Sequence, residues 1–257
     1  GTVGGASAGE GAAAGREPGG GDEGGFPPLR VVTVQAGSRY PDSYVDRLYR
    51  MVVRQASGPV HFTCWTDDPR PGRFAPGVEV RDLTGWGLTG WFNKLRLFDR
   101  GVTGEVPFLF LDLTLVVRAP LATLLQAAQA PGAREAALVA VADWNYPILN
   151  SSVMWVNPDE HTRRVWDAWV EEGQHHWTKR GDQNWVNHVF RGRSPEALTF
   201  WASGTVVSYK VLRKQAREDA VPILLDQDAG GLGVVADRLA QIANATGQGA
   251  VGQAVHE

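Results

Sequence analysis

Apolar positions recur along this chain with two different spacings, and the alternation between them marks out strands and helices in turn. After a stretch with few large apolar residues, Arg30-Val-Val-Thr-Val-Gln35 reads as a first strand. A loop through Gly37-Ser-Arg-Tyr40 follows. Tyr44, Val45, Leu48, Tyr49, Val52 and Val53 then share one face of a helix, with Asp46, Arg47 and Arg50 on the other. Residues 59–65 predict a second strand, stopped at Thr66-Asp-Asp-Pro69, and residues 78–82 a third. The glycine-punctuated loop 85–90 leads into a helix over 91–98. The most apolar run, Val106-Pro-Phe-Leu-Phe-Leu-Asp-Leu-Thr114, reads as a central strand buried on both faces of a parallel sheet and ending in a carboxylate, Asp112. Beyond it the pattern predicts a helix over 121–128, strands over 137–141 and 151–156, and an amphipathic helix over 159–172. Another helix follows Gly181-Asp-Gln183. Strands over 205–209 and 221–225 and a helical stretch over 234–245 complete the pattern.

Strands alternating with helices over this length imply parallel βαβ units, hence an α/β three-layer sandwich around a mostly parallel sheet. Residues 1–25, dominated by glycine and alanine, predict a disordered tail. The main domain spans 26–229, and 230–257 reads as a C-terminal helix and loose tail. No internal repeat is visible.

Composition narrows the class. A formal net charge of −3 gives no reason to expect a nucleic-acid partner or an anionic-membrane surface. No apolar run approaches the roughly 20 residues of a membrane span. Cys64 is the single cysteine, so no internal disulfide forms, and a reducing, cytoplasmic setting is expected. The turn after the first strand lacks Gly-x-Gly-x-x-Gly, which argues against a dinucleotide site, and no Gly-x-Ser-x-Gly elbow, Walker loop or Cys-x-x-Cys occurs.

Candidate chemistry gathers where open α/β sheets bind ligands, at the carboxyl ends of strands. Asp112 occupies such an end, with Thr114 two residues on. Asp182-Gln183 opens a helix, where an acidic side chain either caps the backbone or meets a ligand beneath the helix dipole. His175-His176 reads as a surface pair and His61 as a core or rim residue. Trp91, Trp144, Trp177 and Trp201 lie in or near loops, where an indole anchors the core or stacks on a sugar.

Several segments in order resemble the bacterial nucleotide-sugar glycosyltransferases of the GT-A fold, the glycogenin-like and galactosyltransferase-like group. They are Val31-Val-Thr-Val34, Gly37-Ser-Arg-Tyr40, Tyr44-Val-Asp-Arg-Leu48, Thr66-Asp-Asp-Pro69, Gly90-Trp-Phe-Asn-Lys-Leu95, Phe110-Leu-Asp-Leu-Thr114, Leu149-Asn-Ser-Ser-Val-Met154, Gly181-Asp-Gln183 and Val206-Val-Ser-Tyr-Lys210. The resemblance spans about seven-tenths of the chain. It implies transfer of a sugar from a nucleoside-diphosphate sugar to a hydroxyl or amine acceptor of unknown identity. Asp182 and Gln183 would be catalytic. Val34, Tyr40, Asp67, Lys94 and Asp112 would bind the nucleotide, and Asp143, Asn145, Asn150, Ser151 and Ser152 the sugar or acceptor.

Such enzymes hold a divalent cation, manganese or magnesium, on an Asp-x-Asp pair and a late histidine, because hard ions want oxygen ligands shared with substrate phosphates. Here the pair reads Asp112-Leu-Thr114, and Asp226-Gln-Asp228 stands where the His-Gly segment would fall. Two consequences stay open. Asp112, Asp226 and Asp228 rebuild a metal site, or Lys94, Arg118 and Lys210 carry the charge of the leaving group without a metal. His256 falls in the tail. The alternative is a catalytically degenerate relative that binds a nucleotide or glycan without turning it over.

Overall fold

The computed structural model describes residues 28–177, 181–218 and 254–256, with only the backbone described for 214–218 and 254–256. The tail 1–25, the expected strand over 221–225, Asp226, Asp228 and the helical stretch 234–245 lie outside the described residues.

The chain builds one large mixed sheet. Its strands are β1 (Leu29–Gln35), β2 (Val60–Thr66), β3 (Val78–Asp82), β4 (Phe108–Leu111), β6 (Leu138–Ala142), β7 (Leu149–Val156) and β8 (Leu198–Phe200). Their spatial order is β3-β2-β1-β4-β7-β6-β8. All run parallel except β7, which is antiparallel to β4 on one side and to β6 on the other. A smaller sheet joins β5 (Leu115–Val117), β10 (Ala254–His256) and β9 (Val206–Ser208). Residues 254–256, expected as loose tail, therefore pair as a strand.

Alternation along the strands splits the core in two. From β4, Leu109 and Leu111 face one cluster, shared with Val45, Leu48 and Val52 of α1 (Ser43–Gln55). Phe108 and Phe110 face the other, shared with Leu95, Val165 and Phe190. All four residues of β4 are buried, as the sequence predicts for a strand covered on both faces. Burying an aromatic such as Phe110 contributes about 1.5–3 kcal/mol, so the strand that carries Asp112 is among the most firmly anchored parts of the molecule.

Helices cover both faces, which gives the three layers expected. After α1 come α2 (Arg100–Thr103), α3 (Leu121–Ala128), α4 (Glu160–Ala168), α5 (Gln174–His176), α6 (Asp182–Arg193) and α7 (Tyr209–Glu218). Three local readings change. The helix expected over 91–98 is a 3-10 helix, Gly90–Phe98. The helix expected over 159–172 loosens into a π-helical turn, Trp169–Gly173. There Gly173 sits so close to Trp169 and Trp185 that a Cβ would lie 2.6 and 2.8 Å from their rings. The run to Thr114 is not one strand, because the chain turns at Asp112, whose carbonyl accepts from Leu115 N at 3.3 Å, and re-emerges as β5. Among the described residues no helix is long and apolar enough to cross a membrane.

Candidate functional site

The parallel strands place one set of loops at a common end of the sheet. Asp112 follows β4 directly, and its N–H donates to the Ser152 carbonyl at 2.9 Å, extending the β4–β7 ladder by one bond. That bond brings Asp112 beside Ser151 and Ser152 at the start of β7. On the far side of the sheet, the 3-10 helix buries Asn93, Leu95, Leu97 and Phe98, and Lys94 projects from it over the Phe110 ring, 5.4 Å from its centroid.

Helix α6 delivers the third charge. Gly181 has φ +92°, a left-handed backbone that suits glycine, and it turns the chain into Asp182. The helix is fixed to β7 by Asn187 Oδ1, which accepts from Leu149 N at 3.2 Å, and to α4 by Trp185 Nε1, which donates to the Val165 carbonyl at 3.0 Å. Asp182 is the first residue of this helix and Gly181 its N-cap, so the carboxylate is not the cap. Its carboxylate turns inward instead.

Three parts of the chain thus meet on one ammonium. Lys94 Nζ lies 3.0 Å from Asp112 Oδ2, 3.5 Å from Asp182 Oδ2 and 3.4 Å from Ser151 Oγ. Ser151 Oγ in turn donates to Asp182 Oδ2 at 2.6 Å. Asp182 Oδ2 is thus shared between the Ser151 hydroxyl and the Lys94 ammonium. The side chains are only 13%, 20% and 7% exposed for Lys94, Asp112 and Asp182, so water does little to screen them. Burial, the largest influence on Lys94, works to discharge the ammonium. Asp182 and Asp112 outweigh it and raise its pKa above the ordinary lysine range.

The remaining candidates divide by what they already hold. Thr114 turns back on Asp112, its hydroxyl donating to Oδ1 at 3.2 Å and its N–H at 3.3 Å. Asp143 accepts from the N–H groups of Asn145 and Tyr146 at 2.9 and 3.1 Å, and from Asn150 Nδ2 at 3.1 Å. Asn150 Oδ1 accepts from Ser152 N at 3.0 Å and from the Ser152 hydroxyl. These groups shape the loop between β6 and β7 before any ligand arrives. Asp67 Oδ2 accepts from Gly37 N at 2.7 Å, tying the loops after β1 and β2 together. Val34 and Tyr40 are half-buried, and the Tyr40 phenol is held above its usual range by burial first and by Asp112 second. Gln183 is half-buried beside Asp182 and makes no side-chain hydrogen bond among the described residues.

Others fall away from this constellation. Trp201 is buried and donates to the Val153 carbonyl at 3.1 Å, a core anchor. Trp177 packs edge-on against Trp185, and Trp144 lies half-buried against the first core cluster. Trp91 is exposed. His61, His175, His176 and Lys210 are exposed, and Arg118 is half-buried.

Pattern reading missed Arg73. Its guanidinium pairs with Asp42 at 2.7 Å and donates to Thr66 Oγ1 and the Asp68 carbonyl at 2.9 and 2.8 Å, bracing the same two loops. Asp42 is held below the usual carboxylate range chiefly by hydrogen bonds from Arg73. The paired acids and the Pro-rich turn before Arg73 were the only signal for it.

The donor set can be tested against a divalent ion. Among the described residues no three His, Cys, Asp or Glu side chains converge on a point that could hold one. The place between Asp112 and Asp182 is taken by an ammonium, and Thr114 offers no charge. The described residues do not fit a metal.

Comparison with known proteins bears on the fold. No protein-family model matches the chain, and no curated protein is significantly similar to it. Among solved structures, the glycosyltransferase GlyE of Streptococcus pneumoniae superposes with a TM-score of 0.55 at 16% identity, over 77% of this chain and 52% of that one. The chain therefore spans about half of that protein's length. The galactosyltransferase LgtC, solved with donor and acceptor sugar analogs, superposes with a TM-score of 0.55 at 14% identity, over 89% of this chain and 86% of that one. Mouse xyloside xylosyltransferase 1 superposes with a TM-score of 0.50 at 12% identity, over 75% and 92%. This chain has the GT-A fold. Its mostly parallel sheet with helices around it matches the fold of these structures.

Proposed function

We propose that this GT-A chain is a glycosyltransferase that binds a nucleoside-diphosphate sugar and moves the sugar to a hydroxyl or amine acceptor. The observation that supports this reading best is the clasp of Asp112, Asp182 and Ser151 on Lys94 at the ligand-binding end of the sheet. A solvent-poor cluster of this kind is costly to hold together for stability alone. It does fix the Asp182 carboxylate in one place, between Ser151 and Lys94.

In the proposed reaction the bond from the anomeric carbon to the diphosphate breaks, and its electron pair leaves on the phosphate oxygen. The acceptor oxygen or nitrogen forms the new bond and releases its proton. Positive charge develops on the sugar ring, where a preorganised carboxylate is worth most. Asp182 supplies it, oriented by Ser151 and Lys94, with the Gln183 amide next to it on the same helix turn. Asp112, Tyr40 and Asp67 frame the nucleotide, and Asn145, Asn150 and Ser152 the sugar or acceptor side.

We infer further that transfer proceeds without a divalent ion, because the ammonium occupies the place between the carboxylates. The test is release of nucleoside diphosphate from a panel of sugar nucleotides, run with a chelator and again with manganese. Release that survives chelation is expected. Activity that vanishes with chelator and returns with manganese refutes metal independence and brings Asp226 or Asp228 in as ligands. Tight binding of a sugar nucleotide with no release of diphosphate refutes the enzyme and leaves a binding protein.

A further inference from the structure

The charge balance of the clasp leaves a deficit. Asp112 and Asp182 carry two negative charges and Lys94 one positive, a net of −1. The ammonium has three N–H donors, and three protein oxygens surround it. A nucleoside diphosphate would bring at least two further negative charges to this mouth. Something else must meet them.

The loop after β1 holds a candidate. β1 runs parallel beside β4, with Val31 opposite Leu109 and Val32 opposite Phe110, and Thr33 Oγ1 donates to the Leu111 carbonyl at 2.8 Å. The residues that follow β1 therefore leave the sheet at the end where Asp112 leaves it. Arg39 lies in that loop, exposed, with its guanidinium carbon 5.5 Å from the centroid of the Tyr40 ring. Tyr40, the ring that Arg39 faces, feels the charges of both Asp112 and Lys94.

Two more observations separate Arg39 from an ordinary surface arginine. The arginines of the loop after β2 are paired, Arg70 with Asp68 and Arg73 with Asp42. Arg39 makes no ion pair among the described residues. Its loop is also held firmly. Gly37, with φ +72°, donates its N–H to Asp67, Gln35 Nε2 donates to the Tyr40 carbonyl at 3.0 Å, and Tyr40 packs on Tyr44 with ring centroids 5.3 Å apart. A planar guanidinium stacked on a fixed aromatic keeps its N–H fork free for two phosphate oxygens at once, which a lysine cannot match.

We propose that Arg39 binds the diphosphate of the donor, supplying the positive charge that the Asp112-Leu-Thr114 segment does not recruit through a metal. The inference rests on the donor reading above. As the sugar departs, charge on the diphosphate grows, and a fixed guanidinium stabilises the leaving group without reorganising. The nucleoside part is held by other groups, so Arg39 distinguishes diphosphate from nucleoside.

The test is titration calorimetry of the full chain, in chelator, with the common ribonucleosides, their diphosphates and inorganic pyrophosphate. Arg39→Ala is expected to weaken the preferred diphosphate by about 10- to 100-fold, the range for losing one or two charge-assisted hydrogen bonds, and to leave nucleoside affinity unchanged. Arg39→Lys recovers part of the loss, and Arg47→Ala, on the outer face of α1, changes neither. Melting of the unliganded variants shows that they fold. Equal losses for nucleoside and diphosphate, or no loss for either, overturn the assignment while leaving the donor site standing. No binding of any diphosphate by the natural chain overturns the glycosyltransferase reading, and the role of Arg39 with it.

Discussion

Replacing Lys94 by methionine keeps most of the volume of the side chain and deletes the one cation between two carboxylates. At an effective dielectric of about 20, the attraction to Asp112 at 3.0 Å is about 5–6 kcal/mol and that to Asp182 at 3.5 Å about 5 kcal/mol. Much of this is offset by the desolvation of three buried charges. The net cost of removing one member of such a group is about 3–5 kcal/mol, because the remaining charges stay buried and unmatched. For a chain of this size that lowers the melting temperature by roughly 6–20 °C. The pH dependence carries the sharper signature. Without the ammonium, the facing carboxylates repel, and one is driven above its unfolded value near 4. A carboxylate raised on folding takes up a proton more readily in the folded state, so the deficit of the variant relative to the natural chain shrinks as pH falls from 8 toward 5. Adding Asp182→Asn removes the repulsion and recovers about 1–3 kcal/mol of the loss, a coupling expected of groups in contact. Thermal and denaturant unfolding at pH 8 and 5 measure all three forms. A Lys94→Met chain that melts within 2 °C of the natural one at pH 8, or a double variant whose losses simply add, would refute the clasp.

Three further outcomes follow from the same geometry. Ser151→Ala deletes the 2.6 Å hydrogen bond to Asp182, so kcat should fall about 10- to 100-fold with KM for the donor little changed; a rise in KM alone would contradict a role in orienting the carboxylate. Gly173→Ala adds a methyl 2.6 Å from Trp169 and 2.8 Å from Trp185, and both rings are locked in the core. The overpacking, about 1–3 kcal/mol, outweighs the gain in helix propensity of about 1 kcal/mol, so denaturation should show a net loss; a stabilised variant would mean that the tryptophans yield. Asp42 is depressed on folding, so its pair with Arg73 stabilises above the unfolded value near 4 and fades as pH drops through the folded one. Asp42→Asn should therefore lower stability at pH 7, flatten the acid limb, and do so less in high salt because the carboxylate is half in water. An unchanged acid limb would show that the pair contributes nothing.

How much of this was legible in the chain depended on the range of the interactions involved. The strands β1, β2 and β4 and the helix α1 follow from spacing that any short window contains, and burial of Val31, Leu48 and Phe110 agrees with it. The reversal of β7 was not visible, since a strand covered on both faces has the same composition whichever way it runs. Nor was the 3-10 geometry of Gly90–Phe98, because periods of 3.0 and 3.6 barely diverge over so short a stretch. Asp112, Lys94, Ser151 and Asp182 were each singled out along the chain. Their convergence on a single ammonium was not, because it joins residues distant in sequence.

The chain alone therefore determined which segments are strands and helices, which faces they bury, and that polar residues cluster after the strands, because these depend on neighbours within a few residues. Only the tertiary structure decided that Asp182 turns toward Ser151 and Lys94, that Thr114 closes on Asp112, and that Arg39 faces Tyr40 and makes no ion pair among the described residues. Those outcomes depend on α6 docking through Asn187 and Trp185 and on β7 pairing beside β4, contacts between residues distant in sequence that no local period encodes.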